Sequence, residues 1–109
     1  MIVTSGSDVA GHAVSEYLGV VRGIVVCVPT RRQRIRGTTD AFVEGGDNRY
    51  FLEVAVAVRD DAWAAMVKHA ESLGADAVIG ARWQTTPFAR EGVTEGLAYG
   101  TAVRLARLP

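Results

Sequence analysis

The side chains able to hold a soft or borderline metal are few: Cys27, His12 and His69, with Met1 and Met66 as poor additions. A stable zinc or copper site takes three or four such ligands at set spacings, CxxC and HxxxH among them. None of these residues stands at such a spacing. Cys27 is expected on a strand beside Val25, on the side facing a helix, where a small buried thiol packs like any apolar group. His69 is expected at the border of a polar helix face, at the surface or a subunit interface. The residues alone therefore define no metal site within one chain, and a metal would have to be shared between subunits.

The densest charge is the cluster Arg31, Arg32, Arg34 and Arg36. Guanidinium groups grip phosphate and carboxylate oxygens two at a time, so a small anionic ligand is one reading. The other is an exposed face that pairs with acidic groups of a neighbouring subunit. No aromatic residue interleaves the arginines, which argues against stacking on RNA or single strands. Enzyme signatures are absent: no GxGxxG, P-loop, GxSxG or HExxH. Glu16 and Asp76 are the carboxylates to account for. Asp76 is expected to bond backbone amides at the exit of a helix. Glu16, on an otherwise apolar strand, needs a partner if buried, and Arg22 or Arg82 of a neighbouring strand is the expected one. The alternative makes Glu16, with the arginines, a ligand-binding or catalytic carboxylate at a subunit interface. No catalytic residue is assigned, and no cofactor is named by the sequence.

These residues must be positioned by a single domain, residues 1–109. Twelve acidic and twelve basic residues cancel, which argues against a general binder of nucleic acid or of membrane surfaces. The start, Met1-Ile2-Val3-Thr4-Ser5-Gly6, lacks the pattern of a signal peptide, and the apolar runs fall short of the ~20 residues that span a bilayer. With a single cysteine, these features point to a cytoplasmic protein.

The clearest structural signal is Leu73-Gly74, where a long apolar segment stops and the period changes from helical to alternating. One helix is predicted from Asp47 or Asn48 to Leu73, roughly 40 Å long at 1.5 Å per residue. The alternation of valine with alanine over 54–58 leaves a strand followed by a shorter helix as the competing reading. Before it come an N-terminal arm over 1–13, with a short edge strand as an alternative reading, a long strand over Val14–Val28 ended by Pro29, and a short helix with a glycine hinge within 30–47. After it come a strand over Ala77–Thr85, a hairpin connection at 88–92 and a strand over Thr94–Ala106. The last strand has one small face (Gly96, Ala98, Gly100, Ala102) and one bulky face (Leu97, Tyr99, Thr101, Val103, Leu105). Gly19, Gly23 and Gly80 join the small row beneath the helix. Leu18, Val20, Ile24, Val26, Ile79 and Trp83 join the bulky face, which no second long helix covers. An apolar sheet face left bare marks a surface for association, and hydrophobic content of 49% suits a subunit covered by its neighbours.

Three segments carry a resemblance. Gly11-His12-Ala13-Val14-Ser15-Glu16-Tyr17-Leu18-Gly19-Val20-Val21-Arg22-Gly23, Ala70-Glu71-Ser72-Leu73-Gly74-Ala75-Asp76-Ala77-Val78-Ile79-Gly80 and Tyr99-Gly100-Thr101-Ala102-Val103 resemble, in order and spacing, the YbjQ-like family of uncharacterised proteins. The resemblance implies an α+β, two-layer, dodecin-like subunit: strand–helix–strand–strand, with an antiparallel three-stranded sheet of order 1-3-2 on one long helix and a short N-terminal arm. It also implies a ring-shaped homopentamer, and it brings a heavy-metal-binding label.

Overall fold

The computed structural model describes residues 1–27, 49–87 and 93–109. The short helix and hinge expected within 30–47, and the hairpin connection at 88–92, lie outside these residues. The described elements are β1 (Ile2–Val3), β2 (His12–Cys27), α1 (Arg49–Ser72), β3 (Ala77–Pro87) and β4 (Thr94–Arg107).

The valine–alanine run belongs to one helix. Val58, Ala62, Met66 and Ala70 recur every four residues, and all four are buried. That spacing aligns side chains on a helix, whereas a strand would send neighbours to alternate faces. At 24 residues, α1 extends about 36 Å. It ends in a two-bond left-handed cap: the Ala75 amide donates to the Ala70 carbonyl at 3.2 Å and the Gly74 amide to the Glu71 carbonyl at 3.0 Å. Gly74 takes φ +76°, a conformation that costs glycine little because it has no Cβ.

The sheet is four-stranded and mixed, in the order β1-β3-β4-β2, rather than three-stranded and antiparallel. The expected N-terminal arm supplies the extra strand. Ile2 and Val3 run parallel to Ala77 and Val78, and the arm continues along β3 as the Thr4 amide donates to the Val78 carbonyl and the Ala81 amide to the Thr4 carbonyl. The apolar pair Ile2-Val3 can pair there because β3 follows α1 so closely that its outer edge is otherwise bare. β4 lies between β2 and β3 and is antiparallel to both.

α1 lies chiefly over β2 and β4 and reaches β3 least. The approach is backbone to backbone. A Cβ placed on Gly23 would overlap the Ala62 carbonyl oxygen and stand 2.5 Å from the Met66 nitrogen; one on Gly96 would overlap the Val58 side chain and stand 2.9 Å from its carbonyl oxygen. Around these glycines the shared core holds Val21, Ala62, Met66, Ala70, Val78, Ala81, Ala98 and Ala102.

Several positions differ from the expected placement, because bulges interrupt the alternation. Gly19 and Gly80, expected beneath the helix, stand at these bulges with positive φ, and a Cβ on either would meet nothing within 4 Å. In β3 the register passes from Ile79 opposite Thr101 to Arg82 opposite Tyr99. Two residues, Gly80 and Ala81, therefore face the single residue Gly100, and every side chain beyond changes face. Trp83 consequently lies on the helix side, stacked on Trp63 with ring centroids 4.4 Å apart. The bulge between Tyr17 and Gly19 turns Leu18 against the helix-side core in the same way. Nor is the opposite face wholly bare: Val9, in the loop after the arm, packs with Val14 and Leu105 against Ala77, Ile79 and Val103. Tyr17, Val20, Ile24 and Val26 remain exposed.

The two kinds of glycine should respond differently to substitution. Gly23→Ala should destabilise by at least about 2 kcal/mol in chemical denaturation, since overpacking against a helix backbone has no side chain to displace. In Gly74→Val the new Cβ would meet only the mobile Arg104 guanidinium. The loss there, of more than about 1 kcal/mol, comes from backbone conformation alone.

Candidate functional site

The arginine cluster Arg31, Arg32, Arg34 and Arg36 lies outside the described residues. The remaining sequence-nominated residues do not converge. His12 opens β2 and Cys27 closes it, which separates them by roughly 50 Å at 3.3 Å per residue. The His12 Nδ1 lies 2.9 Å from the Ala10 carbonyl oxygen, a contact that requires a proton on that nitrogen. Cys27 is a free, half-buried thiol. His69, in the last turn of α1, accepts a hydrogen bond on Nδ1 from the Arg22 amide at 3.3 Å. Its imidazole thereby closes one position on the otherwise open edge of β2. No group of three His, Cys, Asp or Glu able to hold a metal occurs among the described residues, so within one subunit these side chains do not fit a soft-metal site.

Glu16 is partnered by neither Arg22 nor Arg82. Its carboxylate faces Arg104, 3.6 Å from Nε, and both side chains are about half exposed. The bulge at Ser15 produces this pairing by setting Glu16 opposite Arg104 on β4. An ion pair so exposed contributes at most about 1 kcal/mol. Arg82 is held otherwise, donating from one guanidinium nitrogen to the Ser5 and Ala81 carbonyls, so it ties the N-terminal arm to β3. Asp76 bonds a backbone amide as expected, but that of Leu105 on β4, at 2.9 Å. It extends the β3–β4 ladder beyond the helix exit.

One concave feature among the described residues was not nominated from the sequence. An open groove of about 690 Å³ runs between the N-terminus and the flank of α1, lined by Met1, Val3, Trp63, Ala64, Val67, Lys68 and Glu71. Trp83 borders it through its stack on Trp63 and is 49% exposed. Further along this flank Arg59 donates to the Thr85 hydroxyl at 3.0 Å. The groove exists because α1 covers β3 least, which leaves a ledge beside the helix. The two tryptophans were the available signal, but the Gly80 bulge that brings them together has no signature in alternation alone.

No helix among the described residues is long and apolar enough to cross a membrane. A two-layer α+β domain with one helix on a mixed four-stranded sheet, and with no catalytic constellation among its described residues, is the class that fold and site define. Over residues 1–106 the chain matches the model of the YbjQ family, described as "Putative heavy-metal-binding", and it belongs to that family. Among its relatives are UPF0145 proteins of Legionella pneumophila, 39% identical over 94% of this chain and 96% of the relative, and of Solibacter usitatus, 42% identical over 94% and 90%. A crystal structure of a protein of unknown function from Pediococcus pentosaceus, of the DUF74 family, has a similar fold. Its TM-score is 0.61 at 18% identity, covering 97% of this chain and 98% of that one.

The scatter of His12, Cys27 and His69 sets an expectation for metal. Cys27→Ala should leave the metal content of natively purified protein, measured by elemental analysis, unchanged. A stoichiometric metal that vanished with this substitution would establish a thiolate site at Cys27.

Proposed function

We propose that the protein is a non-enzymatic cytoplasmic homo-oligomer, a dodecin-like subunit closed into a pentameric ring that holds a small anionic ligand or acts as a scaffold. The observation that carries this reading is the apolar surface left outside the core. Val20 and Tyr17 are each 71% exposed on one side of β2, and Ile24 and Val26 are about half exposed beside them. Large apolar side chains gathered on one strand are what a partner subunit covers. Formal neutrality removes the repulsion that would oppose self-association.

The metal reading draws on the family description; the described residues of one chain supply no ligand cluster by themselves. The anion reading draws on Arg31, Arg32, Arg34 and Arg36. Repeated around a ring, four arginines per subunit would concentrate positive potential that the neutral chain does not otherwise have.

Light scattering after gel filtration should give a mass near five times the 11.6 kDa of the subunit; a clean monomer at micromolar concentration would overturn the oligomeric reading. In the double variant Arg31→Ser/Arg32→Ser, anion affinity should fall while the oligomer mass stays the same. Loosened assembly with unchanged binding would assign the arginines to the interface instead. Where anion binding occurs, it should weaken steeply with salt, since exposed charges are screened over about 8 Å at physiological ionic strength.

A further inference from the structure

Two apolar surfaces lie on opposite flanks of the domain. The first is the ledge beside α1. Leu52, Val56, Trp63 and Val67 follow one another at helical spacing along the flank that faces β3, and Trp83 forms the floor through its stack on Trp63. Leu52 and Val56 are 63% and 50% exposed. The second is β2, at the far edge of the sheet. There Tyr17, Val20, Ile24 and Val26 pair in register with the outer-facing residues of β4, and so share the side of the sheet turned away from the helix.

Each surface also carries a charge without a partner of its own among the described residues. Arg22 stands between Val20 and Ile24 on the strand surface, and Asp60 lies one turn from Val56 on the ledge. Among the described residues neither side chain has an ion-pair or hydrogen-bond partner. An exposed cation set among valines, and an exposed carboxylate beside an apolar helix stripe, are each the counterpart the other lacks.

We propose that these two surfaces meet in the assembly: the β2 stripe of one copy seats on the α1 ledge of the next, with Arg22 facing Asp60. The occupant of the ledge is thus a second copy of this chain. The contact is head-to-tail. Two different patches on opposite flanks cannot satisfy each other across a two-fold axis, but they propagate from copy to copy and close into a ring when the rotation allows. Leu52, Val56 and Trp83 on the ledge, and Tyr17, Val20, Ile24 and Val26 on the strand, are the exposed large side chains that form the apolar centre of an interface whose usual extent is about 800 Å² per side. This inference rests on the oligomeric reading above and specifies which surfaces produce it.

Paired variants test it. Val56→Glu spoils only the ledge and Ile24→Glu spoils only the strand stripe; both sites are exposed, and circular dichroism checks that each variant folds. Each variant alone should run as a monomer by gel filtration with light scattering. Mixed in equal amounts, they should form a heterodimer of twice 11.6 kDa, because one intact ledge and one intact stripe remain. Leu52→Glu and Val20→Glu repeat the experiment at more exposed positions if the first pair folds poorly. A variant that retains the full oligomer, variants that each form homodimers, or a mixture that stays monomeric beside an oligomeric wild type would overturn the head-to-tail contact alone. A monomeric wild type would overturn the oligomeric reading with it.

Discussion

The distance between α1 and the sheet is the constraint on which this structure depends. At Gly23 and Gly96 the helix backbone comes so close that a single methyl group would collide with it. Contact of this kind excludes bulky side chains from the shared layer. Alanines dominate the buried set, and its largest fully buried members are Met66, Val21, Val78 and Val103. Apolar burial contributes roughly 25 cal/mol per Å², so a core of small residues stabilises less than one of leucine and phenylalanine. Several bulky apolar residues, among them Tyr17, Val20, Ile24, Leu52 and Val56, are instead exposed.

The same close contact decides what α1 leaves uncovered. A helix seated over β2 and β4 cannot also cover β3, and the ledge beside it becomes the groove that Trp63 and Trp83 share. The N-terminal segment adds an edge strand through Ile2 and Val3, and on the side of the sheet away from the helix Val9 packs beneath Ala77, Ile79 and Val103. Arg82 secures that segment through the Ser5 carbonyl. The cover stops there, and the outer residues of β2 remain in solvent.

The chemistry of the described residues is correspondingly structural. His69 closes a strand edge, Asp76 extends a ladder, Arg82 ties down an arm and Glu16 pairs across two strands. Each of these four side chains has a backbone or ion-pair partner among the described residues. The chain belongs to the YbjQ family, and its relatives align with it over nearly their whole length.

The sequence by itself determined the elements that depend on local chemistry. Leu73-Gly74 marked the helix exit because only a left-handed residue closes such a cap, and the small row Gly96, Ala98, Gly100, Ala102 marked the face that a helix approaches. The long strand β2, apolar on both faces, and β4, with one small and one bulky face, were equally legible. What tertiary structure decided were pairings between segments far apart in the chain. Two apolar residues at the N-terminus become a strand only because β3 offers a bare edge. Glu16 finds Arg104 because a bulge slips the register by one residue. Trp83 joins Trp63 because Gly80 inserts an extra residue opposite Gly100. Strand alternation has a period of two, so one inserted residue exchanges the two faces of everything beyond it; a pattern read along the chain contains the period but not the insertion.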